Sequence, residues 1–283
     1  MSKETPHDHT TQIKVPAWYS PDELQDIQRD VLGAAAKILV LCLGGKGGVG
    51  KTTIALQVAD LCAEVGPVLA IDTDPANRHF HTALMQETTP GSDNFVPRRP
   101  GITAVRQRLR AEDSTGRVDP TLCQDLIERV TEAAERFVVV DFPAGDTETT
   151  RRCTEIIVES CREANIRLAV VVAAGAVDPT ALEVLRELRP MLIECDRAIL
   201  AKNTAQATNF DYLESSDLVR SLRKQSNFRV LEIERIGERL IEALRVRNMT
   251  WQVLASSAPM RLRVEGRRLR RNFHTAWRDA LRP

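Results

Sequence analysis

The chain predicts an α/β fold, a doubly wound and mostly parallel sheet with helices on both faces. Three observations carry that expectation. An apolar run over residues 38–43 enters a glycine-rich loop, and a helical pattern leaves the loop over residues 54–63, with Gly66 as its stop. Two further apolar runs, residues 68–71 and 137–140, each end in a carboxylate, Asp72 and Asp141. Strand-like and helix-like stretches then keep alternating as far as residue 244.

The loop is the most informative stretch. It reads Gly45-Lys46-Gly47-Gly48-Val49-Gly50-Lys51-Thr52-Thr53, and residues 45–52 fit the phosphate-binding pattern Gly-x-x-x-x-Gly-Lys-Thr. Glycines let backbone N–H groups curl around a phosphate chain, and the helix that follows turns the positive end of its dipole toward it. Lys51 is placed to neutralise the β- and γ-phosphates, and the Thr52 hydroxyl is a candidate Mg²⁺ ligand. Glycine-rich turns also precede helices that bind nothing. The upstream strand and the Lys-Thr pair select the phosphate reading.

Lys46 is a second lysine inside the loop. The run Lys-Gly-Gly-Val-Gly-Lys-Thr-Thr resembles the deviant Walker A sequence of the ParA/MinD family of dimeric ATPases. The resemblance extends from about residue 37 to the C-terminus. It implies a P-loop NTPase fold of the SIMIBI type, with ATP and Mg²⁺ as cofactors. It also implies that Lys46 reaches across a homodimer to the other subunit's nucleotide and joins Lys51 in catalysis. A solvated lysine that merely adds positive potential is the plain alternative.

The carboxylates come next. Alternation along an extended chain would point Asp72 and Asp74 to one side, and at the C-terminal end of a parallel strand that side is the ligand crevice. The segment Asp72-Thr73-Asp74 resembles the family's first switch, in which Asp72 would hold Mg²⁺ through water and Asp74 would orient the attacking water. Asp74-Pro75 is equally a common turn initiator. Where many partition ATPases carry Gln-Gly-Asn, this chain has Ala76-Asn77-Arg78. His79 and His81 read as loop residues beside it, within reach of a dimer interface. Asp141-Phe142-Pro143-Ala144-Gly145 resembles the Asp-x-Pro-Ala-Gly of MinD-like members, which assigns Asp141 to Mg²⁺ and a Gly145 backbone N–H to the γ-phosphate. After the strand at residues 198–201, Asn203 stands where relatives recognise adenine, although an asparagine in a turn needs no ligand.

Composition narrows the class. Lys plus Arg and Asp plus Glu both number 39, so no global charge draws the chain to nucleic acid or membrane, and any such partner must meet a local patch. The six cysteines form no Cys-x-x-Cys, which argues against zinc or iron–sulfur frameworks and for buried thiols in a reducing, cytoplasmic setting. No apolar run approaches the roughly twenty residues of a membrane span.

Residues 1–36 read as an extension of the main domain, residues 37–283. The extension is a polar tail holding His7 and His9, then a helix opened by Ser20-Pro21-Asp22-Glu23. Residues 85–118 read as loop with one helix over residues 104–109. Asp119-Pro120 and Asp178-Pro179 open later helices, the second of them ended by Pro190. From Arg261 onward eight arginines face two carboxylates, Glu265 and Asp279, while Leu269, Phe273, Trp277 and Leu281 recur every fourth residue. That is a helix with one apolar and one basic face. It packs on the sheet, binds DNA phosphates non-specifically, or lies on anionic lipid as in MinD; arginines outnumber bulky apolar residues, which ranks DNA above membrane.

The resemblance implies an ATP-dependent dimerising switch that positions or segregates DNA or a cargo complex, in partition or conjugation, with slow hydrolysis quickened by a partner protein. A MinD-like membrane-associated ATPase and a metabolic ATP-dependent enzyme on the same fold are the alternatives.

Overall fold

The computed structural model describes residues 18–75, 77–109, 121–176, 179–205 and 208–283. His7, His9, Ala76, Asp119, Pro120 and Asp178 fall outside them. Ser20 caps α1 (Pro21–Leu32) reciprocally with Glu23: the Ser20 hydroxyl accepts from the Glu23 N–H and the Glu23 carboxylate from the Ser20 N–H. There follow β1 (Lys37–Leu43), α2 (Lys51–Cys62), β2 (Val68–Asp72) and α3 (His79–Leu84). Next, β3 (Met85–Glu87) and β4 (Phe95–Pro97) pair antiparallel as a small separate hairpin. The chain continues through β5 (Ile102–Arg106), α4 (Thr121–Glu132), β6 (Phe137–Asp141), α5 (Thr147–Arg152), α6 (Thr154–Glu163) and β7 (Ile166–Gly175). Then come α7 (Thr180–Glu187), α8 (Arg189–Glu194), β8 (Arg197–Asn203), α9 (Asp211–Glu214), α10 (Asp217–Leu222) and β9 (Phe228–Ile233). The last helices are α11 (Glu238–Arg245), α12 (Trp251–Ser256) and α13 (Met260–Leu281).

Among the described residues seven strands form one parallel sheet in the order β5-β2-β6-β1-β7-β8-β9. Alternate residues of β1 feed two different cores. Ile38, Val40 and Cys42 pack with α1, α2 and α13, whereas Leu39, Leu41 and Leu43 pack with α4, α6 and α7. Helices cover both faces, which is why the strands read as continuous apolar runs rather than alternating ones. β1 lies between β6 and β7, where the strand order reverses. Side chains leaving the C-terminal ends there converge on one crevice. No helix of the described residues is long and apolar enough to cross a membrane.

Three expectations need correction. Residues 102–106 are the edge strand β5, not the start of a helix; Ile102 and Ala104 turn inward while Thr103 is exposed, a period of two beside β2. His79 and His81 lie in α3 rather than a loop, and the His81 ring meets Phe95 of β4 edge-on at 4.8 Å. Pro190 does not simply end α7; it occupies the first turn of α8, where a missing N–H costs nothing.

The basic face of α13 is also smaller than the sequence suggests. Arg270 is buried, with Nε 2.6 Å from Asp60 in the last turn of α2 and Nη2 on Glu64 in the turn that follows it. Arg99, from the turn before β5, binds the same two carboxylates, and His274 adds Nε2 at 2.9 Å from Asp60. Arg278 and Arg282 share Asp30 of α1 at 2.6 and 2.9 Å, and Arg268 holds Glu234. The opposite face is core, with Trp277 fully buried and its indole N–H donating to Gln57 at 3.0 Å. Among the described residues, Arg261, Arg263, Arg267 and Arg271 keep no ion pair; Arg267 donates Nε to the Ala255 carbonyl at 2.7 Å, and Arg261 and Arg271 are exposed.

Candidate functional site

The loop from Gly44 to Gly50 closes directly onto α2, whose first residue is Lys51. Gly50 is the N-cap and lies at φ 102°, a left-handed conformation that a side chain would strain. A Cβ on Gly45 would fall 2.7 Å from the Thr180 side chain, so the first turn of α7 sits where that Cβ would be. At Gly47 and Gly48 no atom of the described residues lies within 4 Å of the corresponding position, and both residues are exposed. The outer rim of the loop is therefore open to a ligand, while its base is packed. Lys46 is exposed on that rim and Thr53 is half-buried in the first turn of α2.

The three carboxylates gather beside this loop. Asp72 and Asp141 are opposite one another in the β2–β6 register, and Cys42 of β1 is opposite Asp141 on the other side. The Thr52 hydroxyl donates to Asp141 Oδ2 at 2.6 Å. The other carboxylate oxygen, Oδ1, is buried with no hydrogen-bond partner among the described residues. Burial pushes the Asp141 carboxyl up to about 7; the Thr52 hydroxyl and Lys51 pull it down, and Asp72 and Asp74 add to the rise. Lys51 is itself buried, its Nζ donating to the Lys46 carbonyl at 3.2 Å. Burial lowers its pKa against the pull of Asp141 and Asp74.

Asp72 is held differently from what strand alternation suggests. The chain turns after it, so Oδ1 accepts the Asp74 N–H at 3.1 Å and Oδ2 the His81 N–H at 2.9 Å. It thus ties the end of β2 to α3. Burial raises its pKa, and these two N–H donors oppose the rise. Asp74 is half-buried and accepts from the Asn77 backbone and side chain at 2.9 and 3.4 Å. Gly145 lies at φ 73°, and a Cβ there would approach the Gly45 carbonyl at 3.8 Å, so the turn after β6 folds back against the loop. Asn203 reaches the loop from the end of β8. Every expected site residue thus lies on, or folds against, one end of the sheet.

Two contributors were not legible in the sequence. Thr73 fastens β2 to β6, its hydroxyl and its N–H both donating to the Asp141 carbonyl, at 2.8 and 3.1 Å. Thr180 fills the space beside Gly45; only its place just after Pro179, at a helix start, hinted at a location near the crevice.

The donor set fits a hard cation shared with phosphates. A buried carboxylate oxygen without a partner, a hydroxyl beside it and a carboxyl raised by burial form a place where a divalent ion would restore the charged state. Among the described residues no three His, Cys, Asp or Glu side chains make a cage of their own. That suits Mg²⁺, which binds through one or two carboxylates plus substrate phosphates.

No curated protein matches the sequence. Solved structures similar to it include a nucleotide-binding protein from Archaeoglobus fulgidus in complex with ADP, at 14% identity and a TM-score of 0.44, covering 80% of this chain and 92% of that one. A ParA family ATPase from Chlorobium tepidum TLS is 16% identical with a TM-score of 0.46, covering 83% and 98%. An ATP complex of a McdA variant from Cyanothece is 14% identical with a TM-score of 0.48, covering 86% and 96%. A model of the CobQ/CobB/MinD/ParA nucleotide binding domain matches residues 40–263, from within β1 to the first turn of α13, and the chain belongs to that family.

Proposed function

We propose that this protein is a Mg²⁺-dependent ATPase that acts as a dimerising switch, turning ATP and water into ADP and phosphate. One observation carries the reading: Lys51 and Thr52 lie against buried Asp141, whereas Lys46 stands exposed on the open rim of the same loop. A nucleotide held by one subunit already has its lysine in Lys51. The exposed Lys46 is then available to a nucleotide held by a second copy.

Phosphoryl transfer asks the protein for positioning and charge compensation more than for covalent chemistry. The N–H groups of residues 47–53 and the Lys51 ammonium hold the phosphates. Thr52 would hold Mg²⁺ directly and Asp72 and Asp141 through water, and the ion would supply charge neutralisation to the phosphates. Asp74 orients the attacking water, and Gly145 offers its N–H to the γ-phosphate. Once phosphate leaves, the contacts joining the two subunits through the nucleotide are gone and the dimer separates. Turnover is slow alone and quickened by a partner protein.

The test is the oligomeric state. Asp74→Ala keeps every phosphate contact and loses the group that aligns water, so the variant is expected to accumulate as an ATP-bound dimer by light scattering. Wild type should cycle back to monomer as ATP is consumed. A monomeric Asp74→Ala protein at saturating Mg²⁺-ATP would overturn the switch.

DNA is the proposed cargo surface, met by Arg261, Arg263 and Arg271, the arginines of α13 whose side chains keep neither an ion pair nor a hydrogen bond among the described residues. Replacing all three with glutamate is expected to weaken binding of any DNA sequence equally. Three lost phosphate contacts should flatten the slope of log affinity against log salt by about 3. An unchanged slope would return α13 to a purely structural role. Binding of the wild type to anionic vesicles instead of DNA would favour the membrane alternative.

A further inference from the structure

Asn203 ends β8 beside the second half of the phosphate loop. In the β7–β8 register it is opposite Gly175, and a Cβ on Gly175 would meet Val49 at 3.7 Å, so both strand ends support the same part of the loop. The Asn203 carboxamide is committed at both atoms. Its Nδ2 donates to the Val49 carbonyl at 2.9 Å, and its Oδ1 accepts the Ala205 N–H at 3.1 Å. The next residue is anchored too, because the Thr204 N–H and hydroxyl donate to the Ile233 carbonyl at 3.1 and 2.8 Å. A Cβ on Gly50 would collide with Asn203 Nδ2. Position 50 is thus glycine for two reasons, its positive φ and the amide packed against it.

The peptide geometry turns this contact into a statement about phosphate. The Val49 carbonyl and the Gly50 N–H belong to one planar trans unit, so they point in opposite directions. Pinning the carbonyl down on Asn203 fixes the Gly50 N–H on the side of the loop away from β8, where a phosphate oxygen would accept from it. With the amide removed, that peptide is free to rotate, and phosphate binding has to supply the ordering.

We infer that Asn203 is a positioning residue for the phosphate loop, acting on the triphosphate whichever base is attached. The inference rests on the proposed nucleotide site and departs from the base contact that family resemblance assigns to this asparagine. The two roles differ in a measurable way. A base contact is felt by ATP and not by inorganic tripolyphosphate; a brace on the Val49–Gly50 peptide is felt by both.

The experiment is calorimetric titration of the full chain with Mg²⁺-ATP and with Mg²⁺-tripolyphosphate, for wild type, Asn203→Ala and Asn203→Asp. Asn203→Asp keeps the shape and the acceptor for Ala205 and loses only the donor to Val49, so its melting temperature reports that the fold is intact. Asn203→Ala is expected to lose about fivefold in affinity for both ligands, the effect of one net hydrogen bond, with the ratio between the ligands unchanged. Asn203→Asp should lose more, because a carboxylate then faces a carbonyl and the phosphates. Weakened ATP with unaltered tripolyphosphate binding would make Asn203 a base contact and overturn the inference. Unaltered binding of both ligands would overturn it as well. A wild-type chain that binds neither ligand would sink the nucleotide reading itself, and this inference with it.

Discussion

Replacing Lys51 with methionine is expected to lower ATP affinity by about 10²- to 10⁴-fold while leaving the fold intact. Methionine matches the apolar stem, which packs under the loop close to Gly44, and removes only the ammonium. Two charge-assisted hydrogen bonds to phosphate oxygens, at about 1.5–3 kcal/mol each, account for that range. The empty protein should tolerate the change, because Lys51 is a partly desolvated cation whose pKa is already lowered by burial. A second signature follows from the neighbouring carboxyl. Lys51 is one of the groups that hold Asp141 down to about 7, so without it Asp141 holds its proton to higher pH. Mg²⁺ must displace that proton, and its apparent affinity in the variant should fall at pH 7 and recover as pH rises. Calorimetry at two pH values, with a melting curve as control, reads both effects. Undiminished ATP affinity would mean that phosphate binds elsewhere.

The elements that hold this site were visible in the sequence because they are fully buried and need no distant partner to explain them. Strands β1, β2 and β6 are apolar over residues 38–43, 68–71 and 137–140, so the residue at which each run stops, Gly44, Asp72 or Asp141, marks the crevice directly. Edge and surface elements gave weaker signals. In β5 only Ile102 and Ala104 are buried, and residues 104–109 read as a short helix. The true environment of α13 was hidden for a different reason. Arg270 and Asp60 lie 210 residues apart, and no local pattern distinguishes a buried arginine from its solvated neighbours. Asn203 shows the same limit at finer grain: its place after a strand was legible, but not which polar atom meets the Val49 carbonyl. Periodicity locates backbone and faces, whereas pairing between distant polar groups is settled only by tertiary packing.

Asp60→Asn should destabilise the protein by about 3–5 kcal/mol, the range found when one partner of a buried charge network is removed. Asparagine keeps the shape but leaves Arg99 and Arg270 sharing only Glu64, and weakens the His274 contact. At roughly 2–4 °C per kcal/mol for a protein of this size, the melting temperature should fall by about 6–20 °C. The pH dependence separates this from a simple packing loss. Burial alone would raise the Asp60 carboxyl, but Arg99, Arg270 and His274 outweigh it and hold it well below the usual carboxylate range. Its contribution is therefore complete above the ordinary value of about 3.9 and is lost progressively as pH falls below it. His274 behaves in the opposite sense: burial lowers its pKa, with Asp60 resisting, so below about 6.5 the unfolded chain takes up a proton that the folded chain refuses. Wild-type stability should thus decline in two stages on acidification, and Asp60→Asn should keep the first and lose the second. A melting temperature within about 2 °C of wild type would show that Glu64 alone balances both guanidinium groups. Asp60 is nine residues beyond Lys51 on α2, about 14 Å along the helix, so the network fixes the far end of the helix that carries the phosphate lysine. Loss of ATP affinity in Asp60→Asn should accordingly be smaller than in Lys51→Met, because the network orients α2 without touching the phosphates.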